Sequence, residues 1–600
     1  MTQNTVNIVG RDYKKILTPK KFCLRNQNTR LWRQKASTMR NYNLESLDMP
    51  VLAGWRLKLF TTALRNPIIR PLLIKLLIRP SGILKFRKLA IHEAPTNDAI
   101  AFIDQKITTC GPESHKFSIH EPPPGEGPQV SPFRSIRDYY TAYRTNRVTP
   151  ETVAEKVLNA IAASDSGSAP LRAFIACNRE DVMSQARAAT RRIQTGKPLS
   201  VFDGVPVAIK DEVDQTPYPT TVGTSFLGDT PAREDATVVA RLRAAGCLLI
   251  GKTNMHEIGI NPNGLNCHHG TVRNPYHTAY DSGGSSSGSA AAVAAGLCPV
   301  AIGADGGGSI RIPAALCNLV GLKPTFGRIS EHGAFPLCWS VAHLGPLGAC
   351  VEDIALTYAG VAGPDPRDPH SERQPAVRLN NWKCAELNNL TLGIYADWFN
   401  HATPTIVSAC EAMLNNLCKC GARIKKIEIP GLDEIRVAHA ATILCEMSAS
   451  MENYKLHHSC FSPSVQVSLE FARAFTANDY IRAQQIRTQA IKTFQNVFEQ
   501  VDLVITPTTA ITAPEIPSDY LRAGWSDLGT VTELMRFIFP PNLTGLPAIS
   551  FPVGYNEIGL PIGMQAIGRP WDEHVLLQVA YAAEQYVERK RPQVFFEILD

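Results

Sequence analysis

One stretch, residues 282–328, limits what this 600-residue chain can be more than any other. Ser282-Gly-Gly-Ser-Ser-Ser-Gly288 leads into the small-residue run Ser289-Ala-Ala-Ala-Val-Ala-Ala-Gly296. A segment with strand character follows, Val300-Ala-Ile-Gly-Ala304, and then Asp305-Gly-Gly-Gly-Ser-Ile-Arg-Ile-Pro313. Flexible Gly/Ser tethers are not bracketed by a buried strand and an apolar helix, so these glycines belong to a built loop. Gly306, Gly307 and Gly308 carry no Cβ, which leaves the backbone N–H groups beside Ser309 open to a substrate oxygen. Preorganised donors of this kind hold the charge that develops on a carbonyl under attack. Pro313 and the apolar residues after it predict a helix starting just downstream, its positive end at the same spot.

A serine hydroxyl needs a base before it can attack an amide carbonyl. The adjacent pair His268-His269 reads as turn or surface, and His256 in Asn254-Met-His-Glu257 as structural. Lys210 is the stronger candidate. It ends the apolar strand within Gly204-Val-Pro-Val-Ala-Ile-Lys-Asp211, where tight, desolvated surroundings suit an amine that must act as a base. Gly284-Ser-Ser-Ser-Gly288 also fits the G-x-S-x-G elbow, with Ser286 as nucleophile. That motif needs a strand directly before it, and residues 274–282 read as turns.

Lys210 in its strand, Gly283-Gly-Ser-Ser-Ser-Gly288 and Asp305-Gly-Gly-Gly-Ser-Ile-Arg-Ile-Pro313 together resemble the amidase signature family. Gly251-Lys-Thr-Asn-Met-His-Glu257, Gly321-Leu-Lys-Pro-Thr325, Thr506-Pro-Thr508 and Asn542-Leu-Thr-Gly-Leu-Pro-Ala548 agree, and the likeness spans roughly residues 130–595. Within the family the chain most resembles the plant-type fatty acid amide hydrolases, through Leu57-Lys-Leu-Phe60, Gly559-Leu-Pro-Ile-Gly-Met-Gln565 and Gly568-Arg-Pro-Trp571. The resemblance implies an α/β fold, with a central mixed, twisted sheet flanked by helices, and a homodimer. It also implies a Ser–Ser–Lys unit in which Lys210 is the base, Ser285 relays the proton and Ser309 attacks. Backbone N–H groups of Gly306, Gly307, Gly308 and Ser309 would hold the oxyanion. Asp305 and Arg311 would brace that loop, and Gly283 and Gly284 would permit a cis peptide at Gly284–Ser285. The expected reaction is hydrolysis of a lipid amide, an N-acylethanolamine, without metal or cofactor. Small amides, or a non-catalytic receptor on the same fold, are the competing readings. One departure is Ala304, where many relatives carry threonine.

Charge divides unevenly along the chain. Residues 1–90 hold 19 Lys/Arg and three acids, whereas the remainder holds 42 basic and 51 acidic groups. A basic head calls for an anionic partner, and no base-reading motif points to nucleic acid. Between Trp55 and Lys88, Leu57, Phe60, Leu64, Ile68, Leu72 and Leu76 recur at near-helical spacing among cations, with Pro67, Pro71 and Pro80 dividing short helices. No run there approaches the roughly twenty apolar residues of a span. An interfacial helix pair on a membrane surface is the expectation, with packing on the enzyme body as the alternative. Four regions follow: a basic, disordered extension to residue 45, amphipathic helices over 46–105, a turn-rich linker over 106–132, and a catalytic domain over 133–600. The fifteen scattered cysteines show no metal-ligand pairing and read as reduced thiols, and the absence of a secretory signal pattern fits an intracellular protein on the endoplasmic reticulum or plasma membrane.

Overall fold

The computed structural model describes residues 42–47, 51–99, 132–516 and 518–599. The N-terminal extension up to residue 41 and the linker over 106–131 lie outside the described residues. The described residues form one compact unit, which includes the segment 54–88.

Eleven strands make the central sheet: β1 Phe174–Ala176, β2 Pro206–Lys210, β3 Leu248–Thr253, β4 Val300–Ala304, β5 Val320–Lys323, β6 Leu344–Gly348, β7 Thr391–Ile394, β8 Arg423–Lys426, β9 Leu503–Pro507, β10 Ala548–Tyr555 and β11 Pro561–Ile567. Their order across the sheet is β8-β7-β9-β11-β10-β5-β6-β4-β2-β3-β1. Parallel pairs (β2 with β3 and β4, β7 with β8 and β9) are joined by antiparallel ones such as β4 with β6 and β10 with β11, so the sheet is mixed. The middle strands are buried on both faces and read as apolar runs, Pro-Val-Ala-Ile-Lys and Val-Ala-Ile-Gly-Ala, without alternation. Helices cover them. Pro150–Ser164 starts with Thr149 accepting the Thr152 N–H and Pro150 at its first position.

β2 and β4 run side by side and parallel, with Val207 opposite Val300 and Ile209 opposite Ile302. Their carboxyl ends, Lys210 and Ala304, therefore open onto one crevice, the usual place for a ligand in an open α/β sheet. The helix Ser287–Ala294 is built of Ser, Gly, Ala and one Val, and every residue in it is buried. A Cβ on Gly288 would lie 2.2 Å from the Ala173 carbonyl oxygen, so only glycine lets this helix approach so closely.

At the N-terminal side, helices Gly54–Leu64 and Arg70–Ile78 are separated by Pro67, and Pro71 sits in the first turn of the second. The near-helical stripe does not form one face. Leu57, Leu64 and Leu77 are buried against Val467, Phe471 and Ala523, whereas Ile68, Leu72 and Leu76 face outward together with Trp55 and Leu59. The prolines break the helical phase, so residues that share a stripe in the sequence end on opposite sides. Among the described residues no helix is long and apolar enough to cross a membrane.

Candidate active site

Lys210 is the last residue of β2 and is buried. Its Nζ has three partners: it donates to Ser285 Oγ at 2.9 Å and to the Ala304 carbonyl at 3.2 Å, and lies 2.7 Å from Glu212 Oε2. A protonated amine satisfies all three acceptors. A neutral amine has two N–H bonds and one lone pair, and of the three partners only Ser285 can donate to that lone pair. The geometry thus designates Ser285 as the group from which neutral Lys210 can draw a proton. Ala304 takes part through its backbone oxygen, so a missing threonine hydroxyl at that position does not leave Lys210 without a partner.

Ser285 stands just ahead of the helix Ser287–Ala294, and the Gly284–Ser285 peptide is cis. A Cβ on Gly284 would meet the Asn263 carbonyl oxygen at 2.2 Å, and Gly283 has φ +76°, which explains both glycines. Asp281 Oδ1 accepts from Gly283 N–H at 2.6 Å and from Gly264 N–H at 3.0 Å, and burial pushes its carboxyl up to about 7 against those two bonds. Ser309 precedes the helix Arg311–Leu316, which begins two residues earlier than expected. Ser309 lines the same pocket as Lys210, Ser285, Ala304, Gly306 and Gly307. Its carbonyl accepts from Ser286 N–H at 3.2 Å, while its Oγ makes no hydrogen bond among the described residues. Ser286, the elbow candidate, is fully buried and its Oγ donates to the Ala304 carbonyl at 3.2 Å, which leaves no hydroxyl facing the pocket.

The glycine loop is braced from Asp305. Arg311 reaches its carboxylate through Nε and Nη2, both at 3.0 Å, and continues to Gln565 at 2.6 Å and Asn542 at 2.5 Å. Burial would raise the Asp305 carboxyl, but Arg311, Asn542 and Lys323 outweigh it and hold it well below the usual carboxylate range. The same carboxylate accepts the Gly308 N–H at 2.6 Å. Gly308, expected among the oxyanion donors, is therefore already engaged. Gly306, Gly307 and Ser309 keep unbonded N–H groups among the described residues. Gly308 has φ +98° and a Cβ there would lie 2.4 Å from Ile538, so its requirement is conformational.

The three histidines weighed as bases have ring partners other than the serine hydroxyls. His256 is buried, donates from Nδ1 to the Glu257 carbonyl at 3.0 Å, and is pushed down to about 4 by burial. His268 pairs with Glu257 and His269 with the Thr224 carbonyl. Sequence reasoning missed Glu212, Asp281, His439 and the bracing roles of Asn542 and Gln565. Asn542 and Gln565 lie in motifs that carry the family resemblance, and Glu212 is two residues past Lys210. His439, 130 residues beyond Ser309, carries no local signal.

Beside the serine pocket lies a larger cavity, and Ile260, Asn261, Ile443, Met447 and Met535 line both. Its wall is mostly apolar, with Leu44, Val437, Leu444, Phe471, Val531 and Phe539 among the residues lining it.

The amidase family profile matches residues 153–577, the segment holding every residue of this constellation. The chain belongs to the amidase family. It is 39% identical over 593 residues to the fatty acid amide hydrolase of Arabidopsis thaliana, covering 93% of this chain and 96% of that one. The fatty acid amide hydrolase of Medicago truncatula is 37% identical over 591 residues, again 93% of this chain and 96% of the relative. Among solved structures, a complex of the peptide amidase PAM with the inhibitor chymostatin superposes with TM-score 0.66 at 29% identity, covering 77% of this chain and 99% of that one. This amidase is an amide hydrolase related to the plant fatty acid amide hydrolases, on the amidase signature fold.

Proposed function

We propose that the protein hydrolyses long-chain fatty acid amides, N-acylethanolamines in particular, to the free fatty acid and ethanolamine through an acyl-enzyme. The observation that carries this reading is the apolar cavity adjoining the pocket of Lys210, Ser285 and Ser309 and sharing five wall residues with it, because a small amide has no use for an apolar wall of that extent. The likeness to plant fatty acid amide hydrolases over nearly the whole chain supports it. The exposed Trp55, Leu59, Ile68 and Leu72, interspersed with Arg56, Lys58, Arg65 and Lys75, suit an interfacial face from which a lipid substrate is drawn.

In this reading neutral Lys210 accepts the Ser285 proton, Ser285 accepts that of Ser309, and Ser309 Oγ adds to the amide carbonyl. The N–H groups of Gly306, Gly307 and Ser309 hold the oxyanion. Ser285 then passes a proton to the departing nitrogen, the C–N bond breaks, and ethanolamine leaves. Water attacks the ester along the same relay and releases the acid, so one water is consumed per amide cleaved.

The test is release of free acid from a radiolabelled long-chain N-acylethanolamine by the purified protein, beside Ser309→Ala and Lys210→Ala. Turnover by wild type, abolished in the serine variant and reduced about 10²- to 10⁴-fold in the lysine variant, is expected. Equal turnover of acetamide and the long-chain amide would assign the site to small amides instead.

A further inference from the structure

The oxyanion loop is held by two different parts of the molecule. One is the Asp305–Arg311–Asn542 network: Asn542 Nδ2 donates to the Asp305 carbonyl at 2.9 Å, which fixes the peptide between Asp305 and Gly306. The other is a single contact from the long helix Leu432–Met451, whose His439 Nε2 lies 2.8 Å from the Gly306 carbonyl oxygen.

We propose that His439 is a positioning residue of the oxyanion hole, orienting the Gly307 N–H by holding the Gly306 carbonyl. This rests on the amide-hydrolase reading above. The carbonyl of Gly306 and the N–H of Gly307 belong to one planar trans amide and point in opposite directions, so fixing one fixes the other. That amide lies between two glycines, whose backbones rotate more freely than any others. Among the described residues the His439 bond is the one hydrogen bond on it. The neighbouring planes are anchored separately, through the Asp305 carbonyl and the Gly308 N–H. The ring also packs against the open side of Gly307, where a Cβ would lie 3.1 Å from His439 Cε1.

The chemistry of the ring agrees. A carbonyl oxygen can only accept, so Nε2 must carry the proton. Burial pushes the imidazole down to about 4, partly offset by the bond to Gly306, so it is a neutral donor throughout the neutral range. A neutral donor fixes the peptide without adding a cation beside the oxyanion loop. His439 also faces the apolar cavity, and filling that wall is the alternative role.

The two roles separate with a pair of ligands of equal chain length. A long-chain alkyl trifluoromethyl ketone binds by adding Ser309 Oγ to its carbonyl carbon, which forms a C–O bond and an oxyanion while the serine proton passes to the relay. The corresponding carbinol fills the same cavity but cannot form an oxyanion. In His439→Leu, kcat on a long-chain N-acylethanolamine should fall about 10- to 100-fold with KM within about threefold, less than the loss from deleting a donor outright. Affinity for the ketone should fall by the same factor and that for the carbinol should hold. His439→Gln, whose amide nitrogen falls near the position of Nε2, should recover most of kcat.

Equal loss of ketone and carbinol binding, an unchanged kcat, or a glutamine variant as impaired as the leucine one would overturn the proposal. Wild-type protein that neither turns over the amide nor binds the ketone would overturn the amide-hydrolase reading, and the proposal with it. Active wild type with unaffected variants would overturn the proposal alone.

Discussion

At the scale of single residues, the site is surrounded by groups held in a fixed state. His256 and His439 are both buried and both pushed down to about 4, burial being the main cause in each. In the unfolded chain they take up protons near pH 6.5. A depressed folded value means the unfolded state binds more protons below that point. Their contribution to stability is therefore complete above about pH 6.5 and declines as the pH falls toward about 4. Chemical denaturation across that window should show stability dropping at about 1.4 kcal/mol per pH unit for each histidine. His439→Gln should lower the slope by one such step. Asp305 and Arg311 make the opposite case, a fully buried ion pair whose two sides depend on each other. Arg311→Met leaves a buried carboxylate without its main partner, and should cost about 3–5 kcal/mol in a denaturation experiment. A loss under about 1 kcal/mol would mean that Asn542 and Lys323 alone compensate that charge.

At the scale of elements, two strands and one helix do most of the positioning. β2 and β4 end side by side, which brings Lys210 to the Ala304 carbonyl although 94 residues separate them. The helix Leu432–Met451 supplies His439 to the glycine loop and Val437, Ile443, Leu444 and Met447 to the cavity wall. Ile443 stands where the serine pocket meets the larger cavity, 3.5 Å from the place a Cβ on Gly306 would occupy. Ile443→Trp should therefore close the junction. The ratio of kcat/KM for a long-chain amide to that for a short one is expected to fall about tenfold or more, since several buried methylenes at about 0.8 kcal/mol each are lost from the long chain only. An unchanged ratio would show that the acyl chain takes another route.

At the scale of the whole molecule, the apolar and basic residues of 54–88 have two uses. Leu57, Leu64 and Leu77 attach the helices to the body, and the two-residue ladder of Leu52–Ala53 with Trp525–Ser526 fastens their start. The outward set remains available for a surface: Trp55 is 70% exposed and Ile68 86%. Replacing Trp55, Leu59 and Leu72 by serine should weaken co-sedimentation with anionic vesicles and leave hydrolysis of a soluble short amide unchanged. Raising the salt should weaken wild-type binding as well, because the cations act through a screened field. Wild-type protein that stays in the supernatant would overturn the interfacial reading, and binding by the variant equal to that of wild type would remove these three residues from it.

What was legible in the sequence follows from local chemistry. Three glycines before Ser309, two before Ser285 and a lysine closing an apolar strand each answer a need met within a few residues: bare N–H groups, close backbone approach, a desolvated amine. The α/β class came with the family resemblance that these segments carry, and the middle strands, buried on both faces, show no alternation. Tertiary structure alone decided three things. It assigned the Gly308 N–H to Asp305 and not to the oxyanion. It brought Asn542 and His439 to the site across distances at which no sequence period connects them. It also split one helical-looking stripe into a packed side and an exposed side. A residue's neighbours in sequence fix its backbone options, but its partners in a hydrogen bond are chosen by the packing of whole elements, and that information is spread over the entire chain.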